Sequence, residues 1–171
     1  SPDGRTIVFD MLGDLYALPI AGGAATPLTT GLPHDMQPRF SPDGRRIAFV
    51  SDKSGDNNLW VVNADGSNPR QVSKGIGDDF RSPEWTADGQ YIIVSRARPF
   101  AGLEKLWMYH IDGGTGLELV GGTPGQRMMG AAFGPDGRYV WYHQRNGSWQ
   151  YNAQMPQYQL RVYDRETGTV T

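Results

Sequence analysis

Short apolar runs and turn-forming residues alternate along the whole chain, and the same order returns four times. The first run of each unit is rich in β-branched and aromatic residues: Ile7-Val8-Phe9, Ile47-Ala48-Phe49, Ile92-Ile93-Val94 and Val140-Trp141-Tyr142. A second apolar run follows in each unit, at residues 15–18, 59–62, 106–109 and 160–163. Runs of this length between clusters of Gly, Pro, Asn and Asp predict strands.

One turn phrase precedes the first run of every unit. Ser-Pro-Asp-Gly stands at residues 1–4 and 41–44, and altered copies stand at residues 86–89 and 134–137. Ser favours the first position of a type I turn, Pro presets φ at the second, and Gly takes the left-handed position that closes the hairpin. An aromatic residue, Phe40, Trp85 or Phe133, precedes three of the copies. We expect these aromatics to be mostly buried, together with the columns of Ile47 and Leu59.

The turn phrases begin 40 to 48 residues apart. Each unit reads as four short strands, A to D, and this period is typical of a β-propeller blade. The sequence therefore predicts an all-β propeller of about four four-stranded antiparallel blades, at approximately residues 1–30, 31–74, 75–121 and 122–171. The first blade is incomplete, because residue 1 already lies on the turn that follows strand A. Strand A should lie nearest the propeller axis.

An open arc of blades leaves an apolar face at each end, because one blade covers its neighbour. We therefore expect a protein partner: the remaining blades of a parent protein, or a second copy that completes the ring as a homodimer. A closed ring of four blades is the less favoured alternative, since it would be one strand short.

Composition narrows the classes of function. The net charge of the 171 residues is −2 and the basic residues are scattered, which argues against nucleic-acid binding. No apolar run approaches the ~18 residues that a membrane span needs. The absence of cysteine excludes disulfides, thiol nucleophiles and thiolate metal sites. Because the chain starts on a turn, we expect it to be trimmed. A signal peptide upstream of residue 1 therefore remains an alternative.

Motifs for catalysis or metal binding are missing from the sequence. His34, His110 and His143 do not form a His-x-His or His-Glu-x-x-His spacing. A Gly-x-Ser-x-Gly elbow is also missing. The polar segment at residues 52–57 does not have the spacing of an EF-hand loop and fits a plain turn. We therefore predict no catalytic residue, no metal and no cofactor in this chain, and no hydrolase or transferase turnover from it alone.

The loops at one end of the blades form the predicted binding surface. In a propeller the D–A and B–C loops emerge on one face, here called the loop face, and the A–B and C–D turns emerge on the opposite turn face. The repeated turn phrases fall on the turn face, whereas the irregular segments fall on the loop face, and loops of variable sequence often carry function. Candidate binding residues in these loops and in strand A are His34, Asp35, Arg39, Asp79, Arg81, Glu84, Arg127, Trp149 and Tyr151. An ordinary solvated loop surface is the alternative.

The second repeat unit contains a recognisable sequence motif. Residues 40–52 read Phe-Ser-Pro-Asp-Gly-Arg-Arg-Ile-Ala-Phe-Val-Ser-Asp, and residues 59–66 read Leu-Trp-Val-Val-Asn-Ala-Asp-Gly. This pattern resembles the TolB-type, WD40-like propeller repeat, and looser copies extend the resemblance over nearly the whole chain. The wording of residues 15–23 and 67–71 is most similar to propellers that precede secreted amidohydrolase domains. The resemblance implies a periplasmic or extracellular location.

Three functions fit the resemblance. The first is a non-catalytic module that serves as scaffold, substrate gate or docking surface of a larger protein. The second is the propeller part of a metal-dependent amidohydrolase or of a serine peptidase whose catalytic residues lie outside this chain. The third is a TolB-like interaction protein of the cell envelope. The flanking sequence would distinguish them, because a His-x-His barrel domain and a Gly-x-Ser-x-Gly domain point to different enzymes.

Overall fold

The computed structural model describes residues 1–98, 103–123, 125–145 and 158–171, and every regular element in these ranges is a β-strand. The first blade comprises β1 (Thr6–Met11), β2 (Asp14–Pro19) and β3 (Thr26–Pro27). The second comprises β4 (Asp35–Phe40), β5 (Arg46–Ser51), β6 (Asn58–Asn63) and β7 (Arg70–Gln71). The third comprises β8 (Asp79–Trp85), β9 (Tyr91–Arg98), β10 (Leu103–His110) and β11 (Leu117–Val120). The fourth comprises β12 (Arg127–Phe133), β13 (Tyr139–Arg145), β14 (Tyr158–Asp164) and β15 (Thr169–Val170).

Within each blade the strands pair antiparallel in chain order. The predicted all-β architecture of four blades, with the first blade one strand short, is confirmed. Blades 3 and 4 are also joined by one parallel pairing between Glu104 of β10 and Arg127 of β12. Among the described residues there is no helix that is long and apolar enough to cross a membrane.

The repeated turn phrase has the predicted mechanism. The Ser41 hydroxyl donates to Asp43 Oδ1 at 2.6 Å and accepts from the backbone N–H of Arg46 at 2.9 Å. Gly44 has a φ of 71°, in the left-handed region that glycine tolerates best. Thr86 replaces Ser41 in blade 3, where its hydroxyl accepts from the N–H of Tyr91 at 3.0 Å. In blades 2 and 3 the phrase therefore fixes the connection between strands A and B.

The core lies between successive blades. One side of blade 2 presents Ala48, Val50, Leu59 and Val61 to blade 3, which contributes Phe80, Trp85, Ile92, Val94 and Tyr109 to the same cluster. Similar clusters join blade 1 to blade 2 and blade 3 to blade 4. Burial of such side chains is the main stabilising contribution, at roughly 25 cal/mol per Å² of apolar surface.

The aromatic column is mostly buried, as predicted, although its members differ in degree. Trp85 is 3% exposed, and its indole N–H donates to the carbonyl oxygen of Arg39 on the neighbouring strand A. Phe40 and Phe133 are partly exposed, yet both pack against the cores between blades. The guanidinium of Arg165 also covers the Phe133 ring, at 5.6 Å from its centroid. The columns of Ile47 and Leu59 are fully buried, as predicted, except for Ile7 and Leu160 in the two end blades, which are exposed.

Candidate functional site

The inner strands carry a shared irregularity. Pairing of strands A and B shifts register between Met36 and Arg39 in blade 2, and at the matching place in blades 3 and 4. The residues three positions before the aromatic column, Gln37, Ser82 and Gly130, have φ values of 56°, 51° and 65°. A β-bulge of this kind bends the strand and redirects the side chains next to it.

Side chains of the preceding blade hold two of these bulges. The backbone N–H of Gln37 donates to Asp10 Oδ1 of blade 1 at 3.0 Å. The backbone N–H of Ser82 donates to Gln37 Oε1 of blade 2 at 2.6 Å. A positive φ is costly for residues other than glycine, and it persists where the surroundings determine it. The strands β4, β8 and β12 pack against one another in this order, which places strand A on the inner side of the arc.

Two predicted residues form an ion pair between inner strands. Arg39 Nε lies 3.7 Å from Glu84 Oε2, joining β4 to β8 near their turn-face ends. Burial raises the pKa of the Glu84 carboxyl, and the charge of Arg39 opposes this shift. Arg39 is exposed, and a pair with one exposed partner contributes little to stability.

The junction of two adjacent blades on the loop face is called a seam here, and Asp79 closes the seam between blades 2 and 3. Asp79 Oδ2 accepts from Arg81 Nε at 2.8 Å and also contacts Arg81 Nη2. Asn57, in the B–C loop of blade 2, donates from Nδ2 to Asp79 Oδ1 at 3.0 Å. Both carboxylate oxygens of Asp79 are therefore engaged, and Arg81 remains exposed at the surface.

The seam between blades 3 and 4 brings Arg127 beside two charged residues that the sequence analysis missed, Glu104 and Arg145. Glu104 is 1% exposed, and neither of its carboxylate oxygens has a hydrogen-bond partner. Burial raises the pKa of this carboxyl, and the charges of Arg81, Arg127 and Arg145 act against that shift. Glu104 stands in the same blade column as Asn57, and this alignment could have drawn attention to it.

His34 and Asp35 lie at the seam between blades 1 and 2. The backbone N–H of His34 donates to Asp52 Oδ1 at 2.8 Å, and the His34 residue itself is exposed. Asp35 is buried, its Oδ1 has no hydrogen-bond partner, and it borders a cavity of about 130 Å³ that is also lined by Thr29 and Lys53. The structure thus distributes the described members of the predicted set over three seams and, for Arg39 and Glu84, the turn-face ends of the inner strands. Trp149 and Tyr151 lie outside the described residues.

The chemistry of these seams is ionic and hydrogen-bonding. Within the described ranges no three His, Asp or Glu side chains are grouped closely enough to hold a metal ion. His110 contacts the Tyr91 ring at a centroid distance of 5.0 Å and lies 3.6 Å from Asp112, at the edge of its blade. Stacked blades with charged seams define a β-propeller module.

Comparison with known proteins places this module in a family. The family model of the Tricorn protease N-terminal beta propeller domain matches residues 2–165. The chain belongs to this family. Fold and sequence therefore agree on a propeller domain of the TolB and Tricorn type, as the repeat wording predicted.

Individual relatives are longer than this chain. Atu1656, an uncharacterised protein of Agrobacterium fabrum, is 31% identical in an alignment of 147 positions that covers 80% of this chain and 50% of Atu1656. Tricorn protease homolog 1 of Streptomyces coelicolor is 27% identical over 131 residues, which make up 75% of this chain and 12% of that protein. The chain thus spans half the length, or less, of these curated relatives.

A solved structure shares the fold over the full chain. The structure of putative TolB from Agrobacterium tumefaciens superposes with a TM-score of 0.84 at 20% identity. It covers 100% of this chain, which corresponds to 61% of that protein. At this identity the likeness supports the propeller fold.

Proposed function

We propose that this chain is a non-catalytic propeller module that acts as a docking surface or substrate gate of a larger protein, with the loop face toward the bound molecule. One observation carries the proposal. The seams of the loop face differ in charge and partners from blade to blade, whereas the turn face repeats one hydrogen-bonded turn. A regular scaffold with variable loops is the usual arrangement of a binding surface.

The chemistry of the loop face favours a polar macromolecular partner. Arg81 and His34 are exposed there, and the Asp79 carboxylate holds Arg81 in position. Ordered charges of both signs contribute more to specificity and association rate than to affinity. A protein or peptide with complementary charges fits this surface better than an apolar ligand does.

The relatives favour a peptidase as the larger protein. The Streptomyces relative is named a Tricorn protease homolog, and the chain corresponds to 12% of it. This supports a peptidase parent over the metal-dependent amidohydrolase that the wording of residues 15–23 suggested. A TolB-like interaction protein of the periplasm is the second candidate, supported by the structural likeness to putative TolB.

Site-specific photo-crosslinking tests the proposal and separates the two candidates. A photoreactive residue replaces His34 or Arg81 on the loop face, and matched variants replace Asp65 or Asp136 on the turn face. We expect crosslinks from the loop-face positions alone, identified by mass spectrometry. Crosslinks to another domain of the same polypeptide support the peptidase module, and crosslinks to a separate protein support the TolB-like candidate. Equal crosslinking from both faces would refute the docking role of the loop face.

A further inference from the structure

Four charged residues form one lateral row across blades 3 and 4. Asp79 of β8 and Glu104 of β10 both pair with Ala97 of the strand between them. Glu104 in turn pairs with Arg127 of β12, and Arg127 pairs with Arg145 of β13. The row therefore runs from two carboxylates in blade 3 to two guanidinium groups in blade 4.

The two arginines stand directly opposite each other. Like charges at paired positions of neighbouring strands destabilise a sheet. Arg145 is only 7% exposed, and its Nε has no hydrogen-bond partner. A buried guanidinium is costly unless it is neutralised, and here Arg127 and Arg145 share the charge of one buried carboxyl, Glu104, so an additional anion would complete the neutralisation.

Glu104 contributes its charge, but neither carboxylate of the row is seen to form a hydrogen bond with Arg127 or Arg145. Asp79 already accepts from Arg81 and Asn57 through its two oxygens. Glu104 is buried, yet neither of its oxygens makes a hydrogen bond to an arginine or to any other group. The corresponding position in blade 2, Asn57, shows the contrast, since its amide bonds directly to the next blade.

We propose that the seam between blades 3 and 4 binds a small oxyanion, a carboxylate or phosphate-type group, between Arg127 and Arg145. The planar guanidinium fork matches such groups and forms charge-assisted hydrogen bonds with them. Glu104 in its protonated form donates a hydrogen bond to the same anion, and in its ionised form it repels the anion. The three positive charges of Arg81, Arg127 and Arg145 around Glu104 outnumber the one further carboxylate, Asp79, and so favour an anion over a cation.

The test uses the protein that carries these residues, with sulfate as tetrahedral probe and acetate as planar probe. Both anions stay ionised between about pH 5.5 and pH 8, so that only groups of the protein titrate in this range. Thermal unfolding at constant ionic strength, with chloride as reference, gives the apparent Kd from the rise of Tm with anion concentration. A rise with sulfate alone indicates a phosphate-type ligand, and a rise with acetate alone indicates a carboxylate.

Three variants separate the proposed site from general charge effects. Arg127→Gln should weaken binding at least tenfold, and Arg127→Lys should weaken it less because it keeps the charge and loses the fork. Arg98→Gln is the matched control, since Arg98 lies in the same sheet but pairs with Asp78. Glu104→Gln keeps a hydrogen-bond donor at all pH values. The affinity of Glu104→Gln for the anion should therefore stay constant as the pH rises, whereas the affinity of the natural protein should fall.

Two results would overturn the proposal. One is the absence of a Tm rise with either anion relative to chloride. The other is an equal Kd for the natural protein, Arg127→Gln and Arg98→Gln, which identifies an adventitious ion only. Circular dichroism of each variant shows that it is folded. If Arg127→Gln is unfolded, the pH comparison with Glu104→Gln decides, because a pH dependence shared by both proteins contradicts the role of the carboxyl.

Discussion

Glu104 occupies in blade 3 the position that Asn57 occupies in blade 2, and the two residues behave differently. The Asn57 amide is neutral and reaches Asp79 of the next blade at 3.0 Å. The Glu104 carboxyl is buried without a partner. Leaving a buried polar group unsatisfied costs free energy of folding, and for an ionised group the cost is larger. The carboxyl in place of the amide thus leaves this seam without the side-chain hydrogen bond that Asn57 forms between blades 2 and 3.

The pH dependence of stability should report on Glu104. Its pKa is raised in the folded protein, mainly by burial. The folded state therefore holds the proton more tightly, so the contribution to stability is present below the unfolded pKa and is lost as the pH rises through the folded pKa. Glu104→Gln removes this loss. The variant should be more stable than the natural protein at neutral pH, by about 1 kcal/mol, and the difference should vanish in acid.

Chemical denaturation at several pH values measures this difference. Glu118→Gln is the matched control in the same blade, because Glu118 is exposed and pairs with Lys105. It should show no gain at neutral pH. A natural protein whose stability relative to Glu104→Gln does not change with pH would contradict the prediction.

The sequence predicted part of the site. Asp79, Arg81 and Arg127 were found from the rule that loop-face residues differ between blades. Glu104 and Arg145 were missed because both stand outside the predicted apolar runs, at residues 106–109 and 140–142, whereas β10 and β13 extend to include them. Contact between a strand end and the next blade is a long-range property, and it does not appear in the local pattern.

At the scale of elements, the turn after strand A is the best-defined unit of the fold. Ser41 and Thr86 each place a hydroxyl between an Asp and the backbone of the following strand. Gly134 has no hydroxyl at the matching position of blade 4, although its N–H still donates to the Tyr139 carbonyl at 2.9 Å. The fourth turn therefore lacks two side-chain hydrogen bonds that its counterparts have.

Gly134→Ser should stabilise the protein by about 1 kcal/mol, because it adds a hydroxyl that can bond to Asp136 and to the backbone of Tyr139. A Cβ at Gly134 would meet its nearest atom, Asp136 Oδ1, at 3.5 Å, which is ordinary contact. Gly134→Ala is the control for the loss of chain flexibility alone. In thermal unfolding, the Gly134→Ser variant should have a higher Tm than the Gly134→Ala variant. Equal values for Ser and Ala would show that the hydroxyl makes no net contribution.

Strand order was predictable from the sequence, because turn phrases and apolar runs recur in the same columns. The bulges of strand A were not, since Gln37 and Ser82 are residue types that rarely adopt a positive φ. Tertiary contacts with the preceding blade impose that conformation. The sequence pattern of a single repeat unit therefore could not predict these bulges.

At the scale of the molecule, the blades at the two ends of the arc expose apolar side chains. Ile7 of blade 1 is 42% exposed, whereas Ile47 in the same column is fully buried. On the opposite side of blade 4, Trp141 and Leu160 are 43% and 69% exposed, in the columns of the buried Ala48 and Leu59. Apolar surface of this kind on a soluble protein usually marks an interface.

The isolated chain should therefore self-associate, and Leu160→Asp should shift it toward the monomer by placing a charge in the end face. Light scattering over a wide concentration range measures both. Leu32→Asp is the control, because Leu32 is fully exposed in a loop outside this face. A natural chain that stays monomeric at every concentration and unfolds cooperatively would contradict the prediction.

The bonds that hold the bulges give the blades a fixed order. Gln37 receives a bond from Ser82 through its side chain and gives one to Asp10 through its backbone, so it links three consecutive blades. Sequence repeats of this kind invite growth by duplication, in which one unit is copied and inserted beside its parent. A copy placed between blades 2 and 3 would need two features: a bulge N–H that donates to Gln37 of the preceding blade, and a side-chain acceptor for the N–H of Ser82 in the next blade. The turns and the strand pairing are thus contained within one repeat unit. The bulges of the inner strands, in contrast, depend on side chains of the adjacent blades.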